Sequence, residues 1–151
     1  MNFIKVFALA CCLIPFASIQ SLAKDDARKL IETEFYGCDF ELLHLDQLLL
    51  ELQNQPKVRG YIIVYAPSVG SKSGAALAYG ARMKKYLVVA RALKSVRITV
   101  VDGGFREKLS YEMWLVPEGT ELPVARPTVS RKDVKLKRGK TKLYSCDKIL
   151  G

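Results

Sequence analysis

An α+β domain is the fold class this sequence predicts, on three observations. Half of its 151 residues are hydrophobic, enough for one packed core and too short a chain for two large domains. Tyr61-Ile62-Ile63-Val64-Tyr65 is β-branched or aromatic throughout, as in a strand buried on both faces. Two other stretches place their apolar residues at helical spacing. Seven Tyr, six Phe and one Trp exclude a disordered chain.

Leu30 to Tyr36 alternates Ile31, Thr33 and Phe35 against Leu30, Glu32 and Glu34, a strand pattern that could equally extend a helix begun near Asp25; Gly37 ends it in both cases. From Asp39, in the N-cap position, to Gln53, the residues Leu42, Leu45, Leu49 and Leu52 form a helical stripe that Pro56 stops. His44 lies off that stripe and is expected at the surface. Val58 to Ala66 is the central strand, Pro67 to Gly74 a Pro/Ser/Gly loop, and Ala76, Gly80, Met83 and Leu87 mark one face of a helix reaching about Ala90. Gly80 costs about 1 kcal/mol against alanine in mid-helix unless a neighbour must come close there. Arg97 to Val101 is the next strand, closed by Asp102-Gly103-Gly104, and a hairpin is expected to join it to a last strand from Leu109 to Val116. In that last strand Leu109, Tyr111, Met113 and Leu115 share one face, and Trp114 is expected to pack on the sheet. The order is strand, helix, strand, helix, strand, strand. Beyond Pro117 the prolines and lysines form a tail with no apolar core of its own.

Met1 to Ala23 reads as a secretory signal: Lys5 supplies the charge, Val6 to Ile19 the apolar stretch, and Ser21-Leu22-Ala23 the small-x-small cleavage site. Those 14 residues fall short of the ~20 that span a bilayer, so no transmembrane segment is expected after cleavage. Lipidation at Cys11 or Cys12 is disfavoured, because neither has both a leucine three residues before it and a small residue just before it. Export, most simply to a periplasm, discards those two cysteines and leaves Cys38 and Cys146 as an even pair in an oxidising compartment. A bridge between them closes nearly the whole mature chain, for which the chain-entropy model gives about 4–5 kcal/mol. The competing reading is two buried thiols. The expected division is therefore a signal at 1–23, an α+β domain at 24–117 and a basic segment at 118–151 tied back by Cys146.

Charge is unevenly spread. Lys24 to Pro56 sums to −5, Lys57 to Val100 to +9, Val101 to Ala125 to −3 and Arg126 to Gly151 to +7. The first basic block, Lys57, Arg59, Lys72, Arg82, Lys84, Lys85, Arg91, Lys94 and Arg97, contains no acid and makes a strong positive field if its members share a face. In the second, Lys132, Lys135, Lys137, Arg138, Lys140 and Lys142 flank an Arg138-Gly139 turn. For an exported protein such patches point to an anionic envelope component or to a solvated surface, and nucleic acid is not expected.

Most catalytic chemistries lack their residues. One histidine and no CxxC pair leave too few ligands for a zinc finger, and no metal or cofactor is expected. Ala66 to Ser73 has the Lys-Ser pair of a phosphate loop, but Ala66 and Ser71 replace both of its glycines. One anionic group held by Ser71, Lys72 and Ser73 at the start of the following helix is the remaining reading, against serines that merely cap it. The carboxylate pairs Glu32 with Glu34, Asp102 with Glu107, and Glu118 with Glu121 have no nucleophile or metal ligand beside them, so no enzyme is expected.

The segments Leu52-Gln53-Asn54-Gln55-Pro56, Gly60 to Tyr65, Arg82-Met83-Lys84-Lys85-Tyr86-Leu87-Val88 and Arg97 to Gly104, in that order, resemble the OmpA-like domain of peptidoglycan-associated envelope proteins over Leu30 to Pro117. The resemblance implies a βαβαββ two-layer sandwich, a mixed sheet with two helices on one face. It also implies a site after the central strand, where an Asp of the loop and an Arg of the next helix grip the diaminopimelate end of the wall peptide. Here the loop positions fall on Ala66 to Val69, with no acid, and the arginine position on Tyr79; Arg82, near one turn on, is the substitute that could reach the same groove. The expected function is a non-enzymatic envelope binding module contacting peptidoglycan or another anionic wall component through Ser71, Lys72, Ser73, Tyr79 and Arg82, with Lys84 and Lys85 beside them. The alternative is a protein-interaction domain that docks an acidic partner through its basic C-terminal segment.

Overall fold

A computed structural model describes residues 26–143 and Cys146. The signal expected at Met1 to Ala23, with Cys11 and Cys12, lies outside the described residues. The fold is α+β: one four-stranded mixed sheet with two helices packed on one face. Strand β1 (Arg28–Glu34) leads to helix α1 (Cys38–Asn54), β2 (Val58–Pro67), α2 (Ala75–Lys85), β3 (Ile98–Arg106) and β4 (Ser110–Pro117). The sheet order is β1-β4-β2-β3, with β2 and β3 parallel and the other neighbours antiparallel.

Strand β2 occupies an inner position, and nearly all of it is buried. Its Ile62 and Val64 face the helices, together with Leu45, Leu48 and Leu52 of α1, Tyr79 and Met83 of α2, and Tyr111, Met113 and Leu115 of β4. Its Tyr61, Ile63 and Tyr65 face the other way and pack with Val116, Val101, Trp114 and Ala125. The two-faced burial read from the Tyr61 to Tyr65 run is thus realised, and the inward alternation of Leu109, Tyr111, Met113 and Leu115 holds.

Four local expectations are corrected. No hairpin joins β3 to β4, because β2 lies between them, paired parallel with β3 and antiparallel with β4. Strand β3 does not close at Asp102-Gly103-Gly104 but runs on to Arg106 through a bulge, where Val64 pairs with Asp102 and Ala66 with Phe105. Gly104 adopts φ +88° there, and its amide donates to the Asp102 carboxylate at 2.8 Å, while a Cβ on Gly103 would strike the Tyr65 ring. Helix α1 starts after Gly37 with no side-chain cap, so Asp39 lies inside the first turn. Its buried face is Glu41, Leu45, Leu48 and Leu52, turned slightly from the predicted stripe, with Leu42 and Leu49 at the margin. That rotation brings His44 inward to pair its Nδ1 with the Tyr111 hydroxyl at 2.9 Å, and burial lowers its pKa.

The second helix is α-helical only to Lys85, and Tyr86–Ala90 continue it as a π-helical turn. Gly74, in the left-handed conformation, precedes α2, and no serine side chain caps it. The tail is no separate layer. Its Ala125 packs on the second sheet face, the Arg126 amide donates to the Tyr65 hydroxyl at 3.0 Å, Val129 bridges Phe105 on the β3 edge, and Val134 is buried. The pair Cys38 and Cys146 forms a disulfide with a Cα separation of 5.5 Å.

Gly80 is where α2 comes closest to the sheet: a Cβ there would lie 2.1 Å from Val100 Cγ1. Valine on a strand has little rotameric freedom with which to retreat. Overpacking costs about 1–3 kcal/mol and outweighs the ~1 kcal/mol of helix propensity that alanine brings. Gly80→Ala is therefore expected to destabilise the oxidised protein by about 1–2 kcal/mol in urea unfolding, and by about 1 kcal/mol less when Val100→Ala is present.

Candidate functional site

Strand β2, the loop after it and α2 form the first half of a parallel crossover, and the chain leaves β2 at Pro67 with a cleft beside it. The cleft encloses about 300 Å³. Val69, Ala75 and Tyr79 supply its apolar surface; Lys72 stands on one side, and Lys137, Thr141 and Lys142 of the tail on the other. Among the described residues, no histidine, cysteine or carboxylate lines it.

The tail is held there by backbone contacts. The Lys137 amide donates to the Ser71 carbonyl at 2.8 Å, and Lys72 and Lys137 form a parallel β-bridge. Beyond it the chain turns at Arg138-Gly139, with Gly139 at φ +103°, around the Lys72 ammonium, which donates to the Lys140 carbonyl at 2.6 Å. An ammonium has three donors, so this bond leaves Lys72 capacity for a ligand. The Ser71 hydroxyl donates to the Pro67 carbonyl at 2.5 Å.

The cleft therefore gathers Ser71, Lys72 and Tyr79 from the predicted ligand group and Lys137 and Lys142 from the predicted basic patch, two sets about 70 residues apart. Ser73 is exposed and lines a neighbouring hollow with Asp102 and Arg131. Lys132, Lys135 and Arg138 are exposed and outside the cleft lining, while Lys140 contributes its carbonyl.

Arg82 points the other way. It is 9% exposed, its Nη2 donates to the Glu41 carboxylate at 2.5 Å, and its Nη1 contacts Cys146 Sγ. Phe35 and Tyr79 flank the guanidinium at 5.7 and 5.8 Å. The groove-facing position expected for this arginine is not the one it takes: a buried carboxylate on the facing helix draws it into the interior. Burial pushes the Glu41 carboxyl up to about 7, against the pull of Arg82. Glu41 was not legible as a partner because, in the first turn of a helix, an acid reads as a solvated dipole match.

The rest of the first basic block is also dispersed. Arg91 forms a two-pronged pair with Asp46, both contacts at 2.8 Å, and Arg97 donates to the carbonyls of Leu52, Gln55 and Val58, closing the turn between α1 and β2. Lys84 donates to the Ile98 carbonyl. Of the carboxylate pairs, Glu32 and Glu34 line one hollow, where Glu32 meets Lys29 and Arg106 and Glu34 meets Lys108, while Asp102 serves its own bulge. That hollow lies beside β1 and is larger, about 400 Å³, but Arg106 with Glu32 and Lys108 with Glu34 satisfy one another there, which leaves less charge for a ligand than the cleft has.

On the second sheet face Glu112, 1% exposed, accepts from Arg106 at 2.5 Å and from Tyr65 and Trp114 at 2.9 Å each, with Lys29 3.7 Å away. Arg106 also stacks on the Tyr65 ring at 3.7 Å. No sequence signal marked this cluster, because its members come from four strands. Compared with family models and with curated proteins, the sequence matches none.

Two measurements test the role given to Arg82. Arg82→Met alone strands a buried carboxylate and is expected to cost about 3–5 kcal/mol, whereas Glu41→Met with Arg82→Met is expected to unfold within about 2 kcal/mol of the parent. The Glu41 carboxyl binds its proton more tightly folded than unfolded, so its contribution is fully present below about 4.5 and is lost as pH rises toward 7. Glu41→Gln is expected to flatten that part of the stability profile; an unchanged slope would show that the carboxyl is ionised throughout.

Proposed function

We propose that this protein is an exported, non-enzymatic binding module of the cell envelope, and that its cleft takes an anionic envelope component, with peptidoglycan carboxylates as the leading case. The observation that carries the reading is the convergence of Lys72, Lys137 and Lys142 on a cleft that no acid lines among the described residues. Each exposed charge contact is worth about 0.2–1 kcal/mol, so a single small anion binds weakly. A polymer that presents the same group repeatedly gains avidity from many weak contacts. Export rests on the signal-like Met1 to Ala23, and the disulfide suits an oxidising compartment.

The OmpA-like resemblance supports the reading through the shared order of strands and helices and the place of the cleft, after β2 and beside α2. The grip differs. Tyr79 lines the cleft where that family has arginine, and ammonium groups from the tail supply the positive charge. Carboxylate or phosphate groups of a polymer fit such a site better than a ligand whose amine needs an acid.

Sedimentation with purified sacculi tests this. Lys137→Glu with Lys142→Glu is expected to lower the affinity at least tenfold, about 1.4 kcal/mol, and Lys132→Glu with Lys135→Glu to change it less than twofold. The reverse pattern would favour an acidic protein partner docking along the tail, and no retention of the parent protein would remove peptidoglycan as the ligand.

A further inference from the structure

We propose that the Cys38–Cys146 bridge is a thiol-exchange site, opened by a dithiol reductant at Cys38, and that opening it releases the strap that walls the basic cleft. The chemistry at the bridge stands apart from the binding reading; its consequence for the ligand rests on that reading.

The two sulfurs sit in unlike surroundings, and each is suited to one part of the exchange. Cys38 is the first residue of the 17-residue α1, where unpaired amides and the helix dipole favour a thiolate, and it is only partly buried. Cys146 is 5% exposed, and its Sγ lies against the Arg82 guanidinium. An incoming thiolate reaches Cys38 more readily, and the sulfur that departs is the one already facing a cation. A bridge whose two products are both stabilised as thiolates is more easily reduced than one buried in apolar surroundings.

The step balances with a dithiol as the two-electron donor. One of its thiolates attacks Cys38 Sγ; the bond between the two cysteines breaks, and its electron pair leaves on Cys146. The second thiol then attacks the mixed disulfide and releases Cys38, so the reductant leaves as a disulfide and its two protons pass to solvent or to the new thiolates.

Strap release follows from how the tail is held. Val134 is its last buried apolar side chain before Cys146 among the described residues. Between them, among the described residues, the cleft wall is held by the Lys137 amide donating to the Ser71 carbonyl and by the Lys72 ammonium donating to the Lys140 carbonyl, with the Tyr79 hydroxyl 3.5 Å from the Lys142 carbonyl. The bond to Lys140 is exposed and the one to Lys142 only part-buried, so water competes for both once the covalent tie is gone.

Three readouts on the full mature chain decide the matter. Brief exposure to glutathione, quenched by acid and mapped by mass spectrometry, is expected to place the adduct on Cys38; an adduct on Cys146 overturns the assignment of the attacked sulfur. Titration with dithiothreitol under native conditions is expected to open the parent bridge at a concentration at least tenfold below that needed for Glu41→Met with Arg82→Met; equal concentrations overturn the role of the guanidinium. Limited trypsin digestion is expected to cut at Lys137 to Lys142 at least tenfold faster once the bridge is open, and equal protection in the two states overturns strap release. None of these uses a ligand, so failure of sacculus binding by the oxidised protein counts against the binding reading alone.

Discussion

Strand β2 has no face it can leave wet, and most of the architecture answers that constraint. Ile62 and Val64 require cover on one side and Tyr61, Ile63 and Tyr65 on the other. Helices α1 and α2 provide the first cover, with Gly80 letting α2 come down onto Val100. The second comes from the tail, whose Ala125 and Arg126 lie over Tyr65. A tail with few apolar residues serves here because the ring it covers carries a hydroxyl, and a backbone amide can satisfy it.

Buried charge appears on both sides of this sheet in the same form, a carboxylate with an arginine and an aromatic ring. Glu112 with Arg106 and Tyr65 occupies the tail side; Glu41 with Arg82 and Tyr79 occupies the helix side, next to the disulfide. Such pairs add little net stability over apolar replacements, but losing one partner costs several kcal/mol. They therefore oppose alternative packings more than they strengthen the native one. In particular, the Glu41 pair sets where Arg82 points and keeps it from the cleft.

The cleft itself is a product of closure. Lys72 comes with the loop after β2, while Lys137 and Lys142 arrive only because the tail returns across the sheet edge and is tied at Cys146. Fold, disulfide and cleft are thus linked: the covalent tie that closes the chain also holds one wall of the basic surface. Of the nine basic residues that the sequence concentrates between Lys57 and Val100, Arg82 meets Glu41, Arg91 meets Asp46 and Arg97 meets the carbonyls that end α1.

Local pattern alone was sufficient for the element order from α1 onward, the two-sided burial of Tyr61 to Tyr65, the inward face of Leu109 to Leu115 and the choice of Cys38 with Cys146, because each depends on side-chain period or on pairing the two cysteines that lie outside the signal-like segment. Tertiary structure decided which strands are neighbours, where Arg82 and His44 turn, how the Asp102-Gly103-Gly104 bulge carries β3 past its expected end, and which lysines meet. Those outcomes depend on residues far apart in the chain. A hairpin between β3 and β4 satisfies the local turn residues, whereas the structure places β2 between them; a basic side chain reads the same whether it faces water or a carboxylate 41 residues away.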